Sequence, residues 1–446
     1  MTLSKVTFFS LLAFSQISSA QLVNTDGIVN QVGQLPVIIE PISDRLTEPK
    51  IEPPFALSSL PPIKDVITKP LNQLPKILPI GTDISKPVLI EVEVEDGWRA
   101  VKNQWMVLAD AKSEQALIKL GATIESSKVY QGLGLSLLHF TVPETFDGKS
   151  LLAQHLTEKS LATLDRNHIY QAQNTPTDTD TVPDTSQASV CDTAVNIGMI
   201  DSAINQQHRA FKAAHITAKS FLVAGLTSPS HHGTAVASVL VGEAEQLSPL
   251  LPNAQLYSAE VFYQQSNYTQ GATLSAMIEA LNWLVEQKVA VINMSLAGPD
   301  NNILQRVISA ATDKGAFIVA AAGNEGPAAT PVFPAGYAEV TAVSAIDASN
   351  QPYRWSNRGD YIDYAALGVN VLTAQAKQGL GKESGTSMAA PVVSAALACL
   401  LAKQSTSEGL KREGVLTNLS KQAVDMGPKG RDPIYGYGAI NRHQKE

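Results

Sequence analysis

A serine at the start of a small-residue helix is the first feature with chemical potential: Ser387 in Gly385-Thr386-Ser387-Met388-Ala389-Ala390-Pro391. At a helix start a hydroxyl lies beside backbone N–H groups that have no intrahelical partner. Pro391 fits early in that helix, where its missing N–H costs nothing. Alone, such a serine is usually only an N-cap, but a cap does not require the whole heptapeptide. A serine hydroxyl is a weak nucleophile and needs a general base. His232 is the candidate, in His231-His232-Gly233-Thr234-Ala235-Val236-Ala237-Ser238, where Gly233-Thr234 opens a second small-residue helix. His231 does not directly precede the Gly-Thr pair and is set aside. The base needs a carboxylate to fix its tautomer and stabilise the imidazolium. Asp201 ends the apolar run from Val195 to Ile200, and in open α/β sheets ligands bind outside the carboxyl ends of strands. Asn324, in Ala321-Ala322-Gly323-Asn324-Glu325-Gly326-Pro327, offers an amide donor to the negative charge that acyl transfer develops on a carbonyl oxygen. Singly, these residues read as a cap, a surface histidine and turn formers. Together they are the parts of nucleophilic acyl transfer.

The elements that must position them follow from periodicity. From Cys191 onward, β-branched runs alternate with helical patterns. The predicted strands are Val195 to Ile200, Gln255 to Val261, Ala290 to Met294, Phe317 to Ala321 and Val340 to Ala345; helices between them include Leu274 to Glu286 and Asn302 to Lys314. That alternation implies an α/β fold, a mostly parallel sheet with helices on both faces. The apolar stretch from Ala389 to Ala402 is too short to span a bilayer and reads as a buried helix. Residues 96–171 read β-α-β-β-α-β, the order of a small α+β ferredoxin-like unit. There Gln104 to Ala109, Ile124 to Tyr130, Leu135 to Val142 and Leu161 to Tyr170 are the strands. Ser113 is the expected cap of the first helix, and Lys149 to Thr157 forms the second.

At 446 residues the chain is too long for one ordinary domain. Its net charge of -8 and pI near 5.6, without a long basic run, argue against a nucleic-acid partner. Lys5, the apolar run Val6 to Phe14 and the small residues Ser18-Ser19-Ala20 read as a signal peptide over residues 1–20. Residues 21–95 hold eleven prolines between Pro36 and Pro87 and are expected to form an irregular spacer. Residues 172–190 are polar and read as a linker. Cys191 and Cys399 are compatible with a disulfide in an exported protein and equally with burial as free thiols. The sequence leaves that open.

The four segments in the order Asp, His, Asn, Ser resemble the subtilisin-like serine protease family, a likeness spanning about Val195 to Asn441. It takes in Val291-Ile292-Asn293-Met294-Ser295-Leu296 and the closing Tyr435-Gly436-Tyr437-Gly438-Ala439-Ile440-Asn441. The resemblance implies a secreted serine endopeptidase acting on protein or peptide substrates, with the periplasm left open as a destination. Asp201 would orient His232, His232 would take the proton of Ser387, and Asn324 would join the Ser387 N–H in holding the oxyanion. Ser295, Leu296, Ala297 and Gly298 would pair with extended substrate, with Ala322 and Gly323 on the opposite wall of the specificity pocket. Val332 is expected near that pocket's base and Glu325 at its rim, which implies a preference for modest-sized side chains. Residues 96–171 would be an inhibitory propeptide cut from a catalytic domain at 191–446, with the mature chain starting between Gln171 and about Val190; the alternative is an ordinary ligand-binding domain that is never removed. Ala203, Ala235 and Ser238 depart from the family's usual residues without removing a catalytic atom. No cofactor is required; the stretch from Val241 to Pro252 lacks the family's Asn- and Gly-rich calcium loop, and other calcium sites stay open. A monomer is expected. The competing readings are a catalytically dead relative that acts by binding and a peptide ligase built on the same site.

Overall fold

The computed structural model describes residues 74–83, 85–172, 189–266, 269–404 and 412–440. The expected signal peptide, most of the spacer and linker residues 173–188 lie outside the described residues.

The N-terminal elements run β1 (Ile77–Ile80), β2 (Leu89–Glu93), β3 (Arg99–Val107), α1 (Ala111–Lys119), β4 (Thr123–Tyr130), β5 (Leu135–Thr141), α2 (Lys149–Ala153), α3 (Glu158–Leu161) and β6 (Asp165–Ala172). After the linker come β7 (Asn196–Asp201), β8 (His215–Ser220), α4 (His231–Val241), β9 (Gln255–Glu260), β10 (Phe262–Gln264), β11 (Gln270–Thr273), α5 (Leu274–Glu286), β12 (Val291–Met294), β13 (Leu296–Ala297) and α6 (Asn302–Asp313). The chain continues with β14 (Phe317–Ala321), β15 (Val340–Ile346), β16 (Tyr364–Leu367), β17 (Val371–Ala374), β18 (Leu380–Glu383), α7 (Thr386–Gln404) and α8 (Arg412–Gln422).

Seven strands form a parallel sheet in the order β16-β15-β14-β12-β7-β9-β8. The order reverses at β7, whose neighbours β9 and β12 both follow it in sequence. The crevice beyond the carboxyl ends of β7 and β12 is therefore the switch point where such folds bind ligands. Strand alternation explains the two layers that cover the sheet. Val291, Val319 and Val343 join α4, α7 and α8 in one apolar cluster, while Ile292, Ile318 and Ala342 join α5 and α6 in the other. Asn293 lies between Ile292 and Met294 and is fully buried toward α7. Its Oδ1 accepts from Ser394 Oγ and its Nδ2 donates to Ser295 Oγ. Its burial is tolerated because both ends of the amide are used.

The helix around Ala389 to Ala402 is longer than the sequence suggests. α7 extends it at both ends and is apolar and long enough to cross a membrane, yet 83% of that window is buried inside the protein. It is the central core helix packed on the parallel sheet. Cys191 and Cys399 form a disulfide with Cα atoms 5.6 Å apart, tying the segment before β7 to that helix across 208 residues.

In the N-terminal part, strands run antiparallel in the order β4-β5-β3-β6, covered by α1, α2 and α3. The cap of α1 is Asp110, whose side chain accepts from Ser113 N; Ser113 stands inside the helix, its hydroxyl accepting from Thr157 N. The expected helix over Lys149 to Thr157 breaks after Ala153, and the last strand starts at Asp165 rather than Leu161 because α3 occupies Glu158–Leu161. β1 and β2 fall inside the stretch expected to be a spacer. They extend the sheet by pairing in register with each other and with the first half of β3.

A disulfide closing a loop this long contributes about 5 kcal/mol in the chain-entropy account. Replacing both cysteines by serine should lower the urea midpoint of the catalytic unit markedly, and adding reductant to wild type should reproduce the shift.

Candidate active site

Asp201 is the last residue of β7 and is completely buried. Its Oδ1 accepts from Ser202 N at 2.7 Å and pairs with His232 Nδ1 at 2.6 Å. An isolated buried carboxylate would be expensive, so these partners are a condition of the fold. They require α4 to come very close to the end of β7. Gly233 permits this: a Cβ there would collide with the carbonyl oxygens of Ser202 and Ala203, while its own N–H donates to Ser202 Oγ at 2.8 Å. Thr234 Oγ1 accepts from Asn205 N at 2.9 Å and fixes the same turn. The His232 ring is thus held through Nδ1, and its buried Nε2 has no hydrogen-bond partner among the described residues.

Ser387 is the second residue of α7 and is anchored from β12 and the residue after it. Ser295 Oγ donates to the Ser387 carbonyl at 3.0 Å, and Ser387 Oγ lies 3.4 Å from the Ser295 carbonyl oxygen, to which it donates. Asn324 follows β14, and its Oδ1 accepts from both Thr386 N (3.0 Å) and Thr386 Oγ1 (3.1 Å). Holding Oδ1 this way fixes which end of the amide can donate. Gly323 N also donates to Thr386 Oγ1 at 3.3 Å. Thr386 therefore joins three candidate residues; it lay inside the heptapeptide, where only its neighbour drew notice. Asn357 had no local signal at all. Its Oδ1 accepts from the backbone N–H groups of Glu325 (2.9 Å) and Gly326 (3.1 Å), shaping the turn after Asn324. Tyr361 Oη donates to the Ala322 carbonyl at 2.8 Å and braces the same wall.

Gly298 and Phe333 exchange backbone hydrogen bonds at 2.9 and 3.0 Å, which ties β13 to the segment that carries buried Val332. β13 is itself occupied. Leu296 pairs with Ala172 and Ala297 with Gln171, while on the other edge of β6 Gln171, Tyr170 and Ile169 pair with Gly271, Ala272 and Thr273 of β11. β6 thus lies between β13 and β11. Tyr170 is fully buried there, its hydroxyl donating to the Pro299 carbonyl at 3.1 Å and its ring lying against Gly298, where any Cβ would collide with it.

His231, set aside at the sequence level, bonds Glu383 at 3.1 Å instead. That hydrogen bond raises its pKa above the ordinary 6.5 although burial opposes it. Burial pushes the Glu383 carboxyl up, but the His231 bond and charge, the Gln375 hydrogen bond and the His232 side chain together outweigh this and hold it below its ordinary 4.5.

A serine hydroxyl at a helix start, an amide locked onto that helix and a buried imidazole–carboxylate pair all meet the carboxyl edge of one parallel sheet. Those are the parts that a serine hydrolase uses. The Subtilase family profile matches residues 192–438, more than half of the chain, and the chain belongs to that family as a serine-type endopeptidase with the family's Ser/His/Asp mechanism. It is 30% identical over 251 residues to the minor extracellular protease Epr of Bacillus subtilis, covering 55% of this chain and 37% of that protein. It is 28% identical to subtilisin E of Bacillus subtilis over 76% of this chain and 87% of that protein. With subtilisin DY of Bacillus licheniformis the identity is 32%, over 55% of this chain and 89% of that protein.

Two outcomes follow. Gly233→Ala should force α4 away from β7 and loosen the Asp201–His232 pair, so kcat against a short peptide falls at least about tenfold while KM changes little. For the second pair, the raised His231 pKa gives stability that is full below 6.5 and lost as pH rises through the folded value. The lowered Glu383 pKa gives stability that is full above 4.5 and lost as pH falls through its folded value. His231→Gln should therefore lower the melting temperature most between about pH 4.5 and 6.5 and hardly at all at pH 9.

Proposed function

We propose that the protein is an exported endopeptidase made as a self-processed zymogen, acting through an acyl-enzyme on Ser387. Ser387 Oγ attacks the scissile carbonyl as His232 Nε2 takes its proton. Asp201 stabilises the imidazolium, and His232 then protonates the leaving amine. Water, activated by the same imidazole, releases the acyl group. The Ser387 N–H, at the start of α7, and the Asn324 side chain hold the oxyanion. Substrate lies extended along Ser295, Leu296, Ala297 and Gly298, with its specificity side chain against Ala322 and Gly323. Val332 at that pocket's base favours modest-sized side chains, and Glu325 stands at the rim.

The observation that carries the zymogen reading is β6 seated between β11 and β13, the course an extended substrate would take. Residues 96–171 then act as a ferredoxin-like inhibitory unit whose last strand blocks the channel. The same unit also supplies the catalytic unit with helix caps. Asn167 Oδ1 accepts from Ser275 N in the first turn of α5 at 3.0 Å, and Asp165 Oδ2 accepts from Asn302 N at the start of α6 at 2.9 Å. These groups satisfy donors that helix starts otherwise leave orphaned. That supports a role in helping a slow-folding parallel sheet to form. β6 ends at Ala172 beside Leu296, so the first cut is assigned to the stretch after it, no later than about Val190.

Ser387→Ala should abolish both casein hydrolysis and self-cleavage, and mass spectrometry of the wild-type protein should find a new N-terminus after Ala172 and no later than about Val190. A chain that keeps residues 74–172 covalently attached and cleaves casein freely contradicts the zymogen reading. Asn324→Ala should lower kcat by about 10²–10³, the size known for the equivalent loss in a subtilisin. Val332→Gly should extend cleavage to peptides with bulky aromatic side chains, read from a peptide library.

A further inference from the structure

Glu91 is a buried carboxylate far along the chain from the proposed catalytic residues, and it touches both parts of the protein. It lies on β2 and is fully buried; Arg99 on β3 meets its Oε2 at 2.7 Å and also donates to the Pro75 carbonyl at 3.0 Å. The remaining partners come from the catalytic unit. Tyr263 Oη donates to Glu91 Oε1 at 2.8 Å, and Gln265 Nε2 lies 2.8 Å from both carboxylate oxygens. Around this network Ile80, Val101 and Ile169 of the N-terminal unit pack with Tyr263, flanked by Leu78 and Leu89 from one side and Leu222 and Leu226 from the other. A charge-assisted buried contact inside an apolar ring is the pattern of an interface hot spot.

We propose that β1 and β2 are part of the inhibitory unit and that Glu91, received by Tyr263 and Gln265, keeps the cut N-terminal fragment seated on the enzyme. This rests on the zymogen reading and deepens it. The docking surface is the patch formed by Tyr263, Gln265, Leu222 and Leu226, and its occupant is the segment from Leu74 to Arg99. Cleavage after β6 breaks one bond at the far end of the unit and leaves this contact whole. The fragment then dissociates only when the Glu91 carboxylate leaves its donors, and activity appears after that delay. The inhibitory unit accordingly begins about twenty residues before the composition change near residue 96.

The test uses the full chain in wild-type, Glu91→Gln, Tyr263→Phe and Gln265→Ala forms. It follows co-elution of the N-terminal fragment with the catalytic fragment and the lag before hydrolysis of a short chromogenic peptide reaches its plateau. All four should be cut alike, and the variants should lose the fragment at least about tenfold faster, with a matching shorter lag. The Glu91→Gln plateau should equal wild type, because the mature enzymes are then identical in sequence. Tyr263→Phe leaves every residue of the N-terminal unit in place and decides the matter if Glu91→Gln fails to fold. Variants that are cut yet hold the fragment and the lag like wild type overturn the role given to Glu91. A wild-type chain that is active without being cut overturns the zymogen reading itself.

Discussion

A carboxylate removed wholly from water sets the terms for the rest of the catalytic unit. Asp201 has no exposure, so its charge must be met by protein donors. Two of them, Ser202 N and His232 Nδ1, reach the same oxygen. The first comes from the turn after β7; the second comes only if another helix starts within touching distance of that turn. The side-chain-free Gly233, the Ser202 hydroxyl beneath it and the Thr234 hydroxyl bound to Asn205 N are all consequences of that requirement. A larger residue at 233 would separate the partners, and the cost of the buried charge would then fall on the fold as well as on the chemistry.

The serine side of the site is held by a different means, a chain of neutral hydrogen bonds running through the core. Asn293 on β12 reaches Ser394 one way and Ser295 the other, and Ser295 reaches the Ser387 carbonyl. Thr386 connects the same helix start to Asn324. α7 is therefore fixed at its first turn by two parallel strands, and its disulfide near the other end limits pivoting. Preorganised groups of this kind need not be rearranged when charge develops, which is where electrostatic catalysis gains most.

The N-terminal unit completes edges and helix ends that the catalytic unit presents. β6 hydrogen-bonds to β11 on one side and β13 on the other, and residues at its start reach the first turns of α5 and α6. Lys128 and Tyr130 meet Glu279 of α5, and Gly132 N meets Asn282. One strand thus joins two strand edges and supports two helix starts together. Both depend on a register that places Tyr170 against Gly298.

The sequence by itself determined the local elements and the chemical parts. Periodicity gave α5 its full extent and β14 both ends, because an amphipathic helix and a buried β-branched run each write a period into the chain. The candidates Asp201, His232, Asn324 and Ser387 stood out because each sits at or near an element end in a string of small residues too particular for packing alone. Caps and breaks were harder: Asp110 and Ser113 are both good cap residues, and only the fold decides which hydroxyl or carboxylate faces the helix start. Proline content hid β1 and β2, since Pro75, Pro79 and Pro87 read as breakers. Pro79 lies on β1, which ends the strand order beside β2, and an edge strand tolerates a missing donor on its outer side. Only the tertiary structure decided which residues meet: Thr386 with Asn324, Asn357 with the turn after it, Cys191 with Cys399, and Glu91 with Tyr263. These partners are separated by tens to hundreds of residues, and a contact between distant parts of a chain leaves no period for the sequence to show.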